Sequence, residues 1–419
     1  MMTEPSTDPY KGVRDFYPGD WARMRALFAV LRKTLAAWGY EEYSASPLER
    51  AELYEAKTSE EIVNEQTYVF TDRGDRRVTL RPEMTPTLAR MVAAKRRELA
   101  FPLRWFSIPD VFRYERPQKG RLREHYQLNV DLVGVAGREA DIEMISLAAA
   151  LLKAFGAKDG DFAIRVNSRA LLTAACAAAG LDADATRRYL RLLDKRAKLP
   201  ADTFAAALAE ITDKDPLVLV EEGGYQRLAE EKRVLLDTIE ALKARGVANA
   251  VFDPTLTRGF DYYTGIVFEI FDTNPANPRS LFGGGRFDRL VALFGCDPIP
   301  AIGFGMGDVT LADFLETHGL MPKEGDGKPG LYLGTPSPSD IPSAQAFAEE
   351  LRKQGVRVFV NITEKTLGDQ VKDAVKRGIS YFAAYGANEV ASRTIRLKTL
   401  TTSEEASLPA SDLPTRLAR

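Results

Sequence analysis

Cysteine is almost missing from this 419-residue chain: Cys176 and Cys296 stand alone, too few for a disulfide framework or a zinc cluster. Long apolar runs are missing too. No stretch offers the roughly 20 consecutive apolar residues that a bilayer crossing needs, and Met1 to Tyr10 lacks the charged-then-apolar layout of a secretory signal. A cytoplasmic address, with no membrane partner, is the expectation. Charge of one sign is lacking as well. Fifty-seven Lys and Arg against 59 Asp and Glu leave a formal net charge of -2, which argues against a protein that coats nucleic acid by bulk electrostatics. A local basic face that meets RNA stays open. The chain has no Gly-rich P-loop, no internal repeat and no low-complexity tract.

What is present is an ordinary globular composition, 45% hydrophobic and 28% charged, on a chain too long for one compact core, so two or three domains are expected. Met24, Leu27, Phe28, Leu31, Leu35 and Trp38 recur at helical spacing after a possible cap at Asp20, and Gly39 ends the run. An extended piece from Glu41 to Leu48 follows, then a hairpin, Thr67 to Thr71 and Arg77 to Arg81, around Asp72-Arg73-Gly74-Asp75. Arg104 to Tyr114 and Arg123 to Val135 alternate like two further strands, and Glu139 to Phe155 reads as a helix. Residues 168–224 turn Ala-, Leu- and Arg-rich and read as a helical insertion. A helix from Tyr225 to Arg245 leads back to strands at Asn249 to Phe252 and Tyr262 to Phe271. Met321 to Pro329, rich in Gly, Pro and charge, reads as a linker. Beyond it strand and helix alternate: strands at 331–334, 356–361 and 381–385, helices at 341–354 and 365–377, and an edge strand at Thr394 to Lys398. That pattern is a small α/β domain.

The densest chemistry lies in Phe112-Arg113-Tyr114-Glu115-Arg116-Pro117-Gln118-Lys119-Gly120-Arg121-Leu122-Arg123-Glu124. Alternate strand positions share a face, so Arg113 and Glu115 point the same way, and a guanidinium there suits a bidentate grip on phosphate. A solvated, salt-bridged hairpin gives the same pattern. The segment resembles motif 2 of class II aminoacyl-tRNA synthetases, in the form found in the histidyl-tRNA synthetase family. The resemblance implies that Arg113 holds the ATP α-phosphate and the histidine carboxylate. It also implies that Arg121 and Arg123 meet the outer phosphates, Glu115 the adenine amino group, and Arg116 and Gln118 the tRNA acceptor end. His125 stands where the family often has Phe against adenine.

Two other runs resemble the same family. In Thr79-Leu80-Arg81-Pro82-Glu83-Met84-Thr85, Glu83 and Thr85 would receive the substrate α-amino group, as a carboxylate suits an ammonium. Thr257-Arg258-Gly259-Phe260-Asp261-Tyr262-Tyr263-Thr264-Gly265 resembles the family's histidine signature. It would set Arg258 on the α-phosphate opposite Arg113 and Tyr263 in the imidazole pocket. Gln127 and Asp131, four apart on one strand and so on one face, would read the imidazole. Asp131 stands where Glu is commoner. Phe287, in Gly283-Gly284-Gly285-Arg286-Phe287-Asp288, replaces a Tyr. Ala301 to Thr310 resembles motif 3 but carries Thr310 where that motif has arginine.

The resemblance spans Lys11 to about Leu400. It implies an α+β fold: a class II synthetase antiparallel-sheet catalytic domain over 1–322 with the helical insertion at 168–224, and a C-terminal α/β anticodon-binding domain over 328–419. In the latter, Lys365, Gly368, Asp369 and Gln370 occupy the usual place of anticodon contact. The implied partners are L-histidine, ATP with Mg²⁺ carried on its phosphates rather than on a protein site, tRNA(His), and a second copy in a homodimer through Gly12 to Pro18 and the following helix. No protein nucleophile is needed, which accords with the lack of a Ser/His/Asp or Cys/His set. A second reading is a non-catalytic paralogue, the regulatory subunit of ATP phosphoribosyltransferase. The terminal domain and the retained Arg113, Arg258 and Glu83 weigh against it.

Overall fold

The computed structural model describes residues 6–55, 66–116, 120–222, 224–259, 262–322 and 330–417, and the chain divides into two compact units, 1–323 and 324–419. Helix α1 (Pro18–Ala37) starts earlier than a cap at Asp20 would place it. Pro18 takes the first turn, where its missing N–H leaves nothing unpaired, and Asp20 falls inside that turn, where a carboxylate complements the helix dipole. Met24, Leu27, Phe28, Leu31 and Leu35 are buried. Trp38 lies past the last turn and stays 36% exposed.

Strands β1 (Glu41–Glu42) and β2 (Leu48–Arg50) are all that the expected extended piece contributes on either side of Pro47. After α2 (Glu52–Glu55), β3 (Tyr68–Thr71) and β4 (Arg77–Leu80) form the expected hairpin. Helix α3 is Thr85–Lys95. The single strand expected over 104–114 is two, β5 (Leu103–Ser107) and β6 (Asp110–Phe112), because Pro109 cannot donate to a ladder. Both pair with the long β7 (Glu124–Val133).

Then come α4 (Arg138–Ala154) and β8 (Phe162–Ser168). Among the described residues, the stretch 168–224 holds four α-helices, α5 (Arg169–Ala178), α6 (Ala183–Asp194), α7 (Ala201–Ala209) and α8 (Pro216–Glu222), and a 3-10 turn at Arg196–Lys198. They close over a small core of Leu172, Cys176, Tyr189, Leu190, Leu193 and Leu217. Helix α9 (Gln226–Ala244), β9 (Ala250–Phe252), β10 (Ile266–Asp272), β11 (Ser280–Arg286), β12 (Ala301–Gly307) and α10 (Asp308–Thr317) complete the unit.

Most of these strands assemble one large sheet in the order β1-β5-β7-β12-β11-β10-β8-β9, with β6 pairing β7, while β2, β4 and β3 form a separate three-stranded sheet. The large sheet is antiparallel through its centre and parallel only at β1/β5 and β8/β9. Helices α1, α4, α9 and α10 cover one face through a core that includes Leu35, Val130, Leu147, Phe268 and Phe314. On the opposite face, β11 and β12 present glycines beside the polar side chains of β7. No helix among the described residues is long and apolar enough to cross a membrane.

The second unit is a five-stranded sheet in the order β14-β13-β15-β16-β17, with β13 (Leu331–Gly334), β14 (Val358–Val360), β15 (Tyr381–Ala384), β16 (Thr394–Thr399) and β17 (Glu405–Pro409). Helices α11 (Ile341–Lys353), α12 (Leu367–Lys376), α13 (Ala387–Ser392) and α14 (Leu413–Leu417) accompany it. The strand expected at the edge, β16, is internal: polar β17 pairs outside it. Leu331 and Leu333 pack under α11, and Tyr332 packs on the other side with Phe382, so the parallel strands are covered on both faces.

Candidate functional site

Strand register builds the floor of the site. Glu269, Gly283, Gly305 and Asn129 lie in one row across β10, β11, β12 and β7, and Val267, Gly285, Gly303 and Asp131 in the next. Residues opposite each other in antiparallel strands project to the same side, so the glycines leave a trough between polar side chains. At all four a Cβ would stand closer than 3.0 Å to a neighbour, at Gly285 through the Ile266 carbonyl oxygen at 2.7 Å. A Cβ on Gly283 would strike Arg258 Nη1, one on Gly303 would strike Asp131 Oδ1, and one on Gly305 would come within 2.8 Å of Gln127 Nε2.

Above this floor is a cavity of about 260 Å³ whose lining includes Arg113, Arg258, Glu83, Thr85, Gln127, Asn129, Glu269, Tyr262, Tyr263 and Phe287. The two arginines come from positions 145 residues apart in sequence (258 − 113). Arg113 reaches the cavity from the end of β6 and is braced by donating Nε to Pro82 O at 2.9 Å. Arg258 donates Nη1 to Glu269 Oε1 at 2.7 Å. Its Nε is buried and finds no partner among the described residues. Burial pushes the Glu269 carboxyl upward, and the Arg258 guanidinium opposes that rise. Glu83 is 3% exposed and accepts from Tyr262 Oη at 3.0 Å. Thr85 opens α3. Two guanidinium groups with a buried carboxylate nearby can hold an amino acid by its ammonium while offering cations to an anion beside it.

Two further arginines of the motif-like runs are structural. Arg81, 3% exposed, donates to Asp110 O, Ala45 O and Asp110 Oδ1. Arg286 clamps Asp141, Val135 O and Gly137 O, and the buried Asp141 carboxyl is raised to about 6.

A second cavity shares Arg113, Arg121 and Gln127 with the first and adds Glu115, Gly120, Leu122, His125, Gly307, Val309 and Thr310. Thr310 donates Oγ1 to Leu281 O at 2.7 Å, so this position contributes no cation. Burial, reinforced by Arg113 and Arg14 and opposed by a hydrogen bond with Gln127, lowers the His125 imidazole to about 3. Burial therefore favours the neutral ring, whose flat face can lie against a base. An unfolded histidine takes its proton near pH 6.5, about the value of the free side chain, so below that pH the unfolded chain binds more protons than the folded one. Stability present above pH 6.5 is therefore lost as pH falls toward about 3. His125→Phe should flatten that loss in a pH series of urea midpoints. Equal acid slopes for variant and wild type would show that the ring is not held neutral.

The structure does not bring every expected residue to these walls. Arg123 turns away: it donates to Glu115 O and Tyr10 Oη, and its guanidinium lies 3.9 Å from the Tyr114 ring centroid. It is a brace for the loop, not part of either cavity lining. The reason is a break in alternation: the chain bends at Arg123, just before β7 begins at Glu124, so its side chain does not follow that of Arg121 into the cavities. Asp131 is 2% exposed and lies against Gly303, beyond the lining residues. Arg116 is exposed. Gln118, Phe260 and Asp261 lie outside the described residues.

In the second unit Gln370 is fully buried; its Oε1 accepts from Thr335 N and its Nε2 donates to Thr335 O and Lys365 O. It ties α12 to β13 and presents nothing outward. Lys365, Gly368 and Asp369 are exposed at that helix start, with Asp369 bonded to Thr366 and Lys372.

Sequence reasoning missed Glu269, Asn129 and the cavity-facing role of Tyr262. Glu269 had a signal: it is the one charge inside the apolar run Ile266 to Phe271, and a lone buried charge demands a partner. Among the described residues no cluster of three or more His, Cys, Asp or Glu side chains could hold a metal ion.

A family model described as histidyl-tRNA synthetase matches residues 12–308, and one described as an anticodon binding domain matches 335–419. The chain is 41% identical to a histidine–tRNA ligase of Leptospira biflexa serovar Patoc, covering 94% of this chain and 93% of the relative. It is 36% identical to a histidine–tRNA ligase of Halobacterium salinarum, covering 97% of each. The fold matches the crystal structure of histidyl-tRNA synthetase from Nostoc sp. PCC 7120 with a TM-score of 0.76 at 21% identity, covering 99% of both chains.

Proposed function

The chain belongs to the histidyl-tRNA synthetase family, and from that premise we propose that it is a histidine–tRNA ligase. It activates L-histidine with ATP as histidyl-adenylate and transfers the histidyl group to tRNA(His). The observation that carries the reading is that Arg113 and Arg258 line one cavity together with Glu83.

The α-ammonium of histidine binds Glu83 and Thr85, and the ring extends toward Tyr263, Phe287 and Gln127. The histidine carboxylate oxygen attacks the α-phosphorus of ATP, a P–O bond forms, the bond to the leaving oxygen breaks, and pyrophosphate departs. Arg113 and Arg258 neutralise the charge that grows on the α-phosphate, so catalysis is positioning and electrostatics without a protein nucleophile. The second cavity takes the adenine between His125 and the Glu115 side, with Arg121 toward the outer phosphates. Mg²⁺ would be carried by those phosphates and would neutralise their charge, with the Glu115 carboxylate on the wall of the same cavity. A terminal ribose hydroxyl of the tRNA then attacks the mixed anhydride and releases AMP.

The class II catalytic unit and the anticodon-binding unit give the tRNA two contacts, the acceptor end near Arg116 and Gln118 and the anticodon near Lys365, Gly368 and Asp369. A homodimer through the segment before α1 and α1 itself, and a cytoplasmic location, complete the proposal; Tyr17 in that segment is 72% exposed. The regulatory-subunit reading is less supported, because the chain retains both arginines and Glu83 on the cavity and matches the anticodon-binding model. ATP–pyrophosphate exchange with each of the twenty amino acids tests the assignment. Histidine alone should support exchange; exchange with another amino acid, or none with histidine, would overturn it.

A further inference from the structure

One ion pair holds the wall of the second cavity from behind and joins positions 294 residues apart in sequence. Arg14 donates Nη2 to Asp308 Oδ2 at 2.7 Å. Asp308 opens α10, and its side chain is 2% exposed. Its neighbours Gly307 and Val309 line the cavity together with Thr310, whereas Asp308 is not among the lining residues. The carboxylate therefore points behind the wall, toward the segment that precedes α1. Among the described residues the guanidinium makes no other hydrogen bond, and its Nε is buried without a partner.

That segment is also fastened to the opposite side of the same cavity. Gly12 turns with φ 86°, in the left-handed region that glycine enters freely. Its carbonyl accepts from Arg123 N at 2.7 Å and from Glu124 N at 3.3 Å, and Tyr10 Oη accepts from Arg123 Nη1 at 3.0 Å. Leu122 and His125, on either side of those two residues, line the cavity. Residues 10–14 thus form a strap, one end on the entry to β7 and the other on the first turn of α10.

The Arg14–Asp308 pair differs from an exposed ion pair, which contributes little. Burial raises the Asp308 carboxyl and Arg14 opposes the rise, so loss of Arg14 would leave a buried carboxylate uncompensated. Arg14 also helps to keep His125 neutral, which sets it close to both sides of the cavity. Phe16, whose ring centroid lies 4.9 Å from the guanidinium, packs on Trp21 and Tyr126 and fixes the cation in place. On the α10 side the wall is neutral, made by Gly307, Val309 and Thr310. A neutral wall binds by fit, and fit depends on where the backbone stands.

We propose that Arg14 is a positioning residue for ATP: through Asp308 it holds the junction of β12 and α10 so that Gly307, Val309 and Thr310 stand against the nucleotide. The proposal rests on the ligase reading, in which this cavity takes the adenine. It gives a residue of the segment assigned to subunit contact a role at the nucleotide.

The test is ATP–pyrophosphate exchange by the full-length chain carrying Arg14→Gln, Arg14→Lys, Asp308→Asn, or Arg14→Gln with Asp308→Asn. Arg14→Gln should raise KM for ATP about five- to tenfold, less than the loss of a hydrogen bond made directly to a charged group. KM for histidine and kcat at saturating ATP should stay within about twofold, because Arg258 and Glu83 line the other cavity. Arg14→Lys should restore KM for ATP, since a single Nη2 contact needs a cation rather than a planar fork. Asp308→Asn keeps an acceptor oxygen and drops the charge, so it should raise KM for ATP by about threefold. The double variant should be no worse than Arg14→Gln, because both residues act through one contact.

Unchanged KM for ATP in folded Arg14→Gln or Asp308→Asn would overturn the proposal. So would an equal rise in KM for histidine, or losses that multiply in the double variant. Asp308→Asn carries the test alone should Arg14→Gln fail to fold. Failure of the unmodified protein to exchange with histidine would sink the ligase reading itself, a distinct outcome.

Discussion

Arg258→Ala is expected to slow formation of the adenylate by two to three orders of magnitude, while KM for histidine changes by less than about threefold. Removal of one preorganised cation or donor from a reacting centre typically costs about 10²–10³ in rate. The effect falls on the chemical step because charge on the α-phosphate grows only as the new bond forms. Arg258 is well placed to meet that charge, since its side chain is 14% exposed and held at 2.7 Å by Glu269, and little reorganisation is needed at the moment of reaction. Single-turnover pyrophosphate release measures the rate directly. Loss of the guanidinium strands Glu269, whose carboxyl is already pushed upward by burial, so a melting curve should accompany the kinetics. Arg258→Lys separates charge from geometry. It keeps a cation but loses the planar fork, and should recover only part of the rate. A variant that releases pyrophosphate at near the normal rate would remove Arg258 from the reaction.

Glu83→Ala should fail in a different way. Glu83 is 3% exposed and fixed by Tyr262 Oη, so an ammonium bound to it exchanges water for a desolvated carboxylate. Truncation of one partner of such a pair costs about 2–5 kcal/mol, which appears as a rise in KM for histidine of about 30-fold or more. That interaction is the same in ground and transition states, so kcat at saturating histidine should change far less. Isothermal titration with histidine in the absence of ATP reads the binding loss alone. Unimpaired histidine binding by Glu83→Ala would place the ammonium elsewhere in the cavity.

These contrasting predictions depend on residues whose placement was unevenly legible in the sequence. The motif-like runs name Arg113, Arg258, Glu83, Thr85, Gln127, Tyr263 and Phe287, and all seven line one cavity. Side chains two apart on a strand are legible only while the strand stays regular. Arg121 lines the cavities, whereas Arg123, at the start of the bend into β7, is drawn into a cage with Tyr10 and Tyr114. Asp131 illustrates a second limit. Alternation gives its face but not its depth, and Gly303 across the ladder determines that it lies beneath the wall. Gln370 shows a third: an amide at a helix start reads as a surface contact until the buried Thr335 backbone that it satisfies is known.

The fold was readable where patterns are long. Helix α1, the β3–β4 hairpin and the alternation of the second unit follow from apolar spacing and turn residues. Edges were not, because they depend on pairing between segments distant in sequence. Strand β16 looked terminal until β17, polar and short, added itself outside. The strand expected from Tyr262 to Phe271 begins only at Ile266. Tyr262 and Tyr263 precede it and face the ligand cavity, where Tyr262 secures Glu83.

The most direct measurement is a structure of the chain bound to a histidyl-sulfamoyl analogue of the adenylate, in which the sulfamoyl group stands in for the α-phosphate. Arg113 and Arg258 should both donate to that group from opposite sides, with the ammonium on Glu83. A bound analogue that reaches only one of the two guanidinium groups, with the other turned into a separate space, would contradict the account.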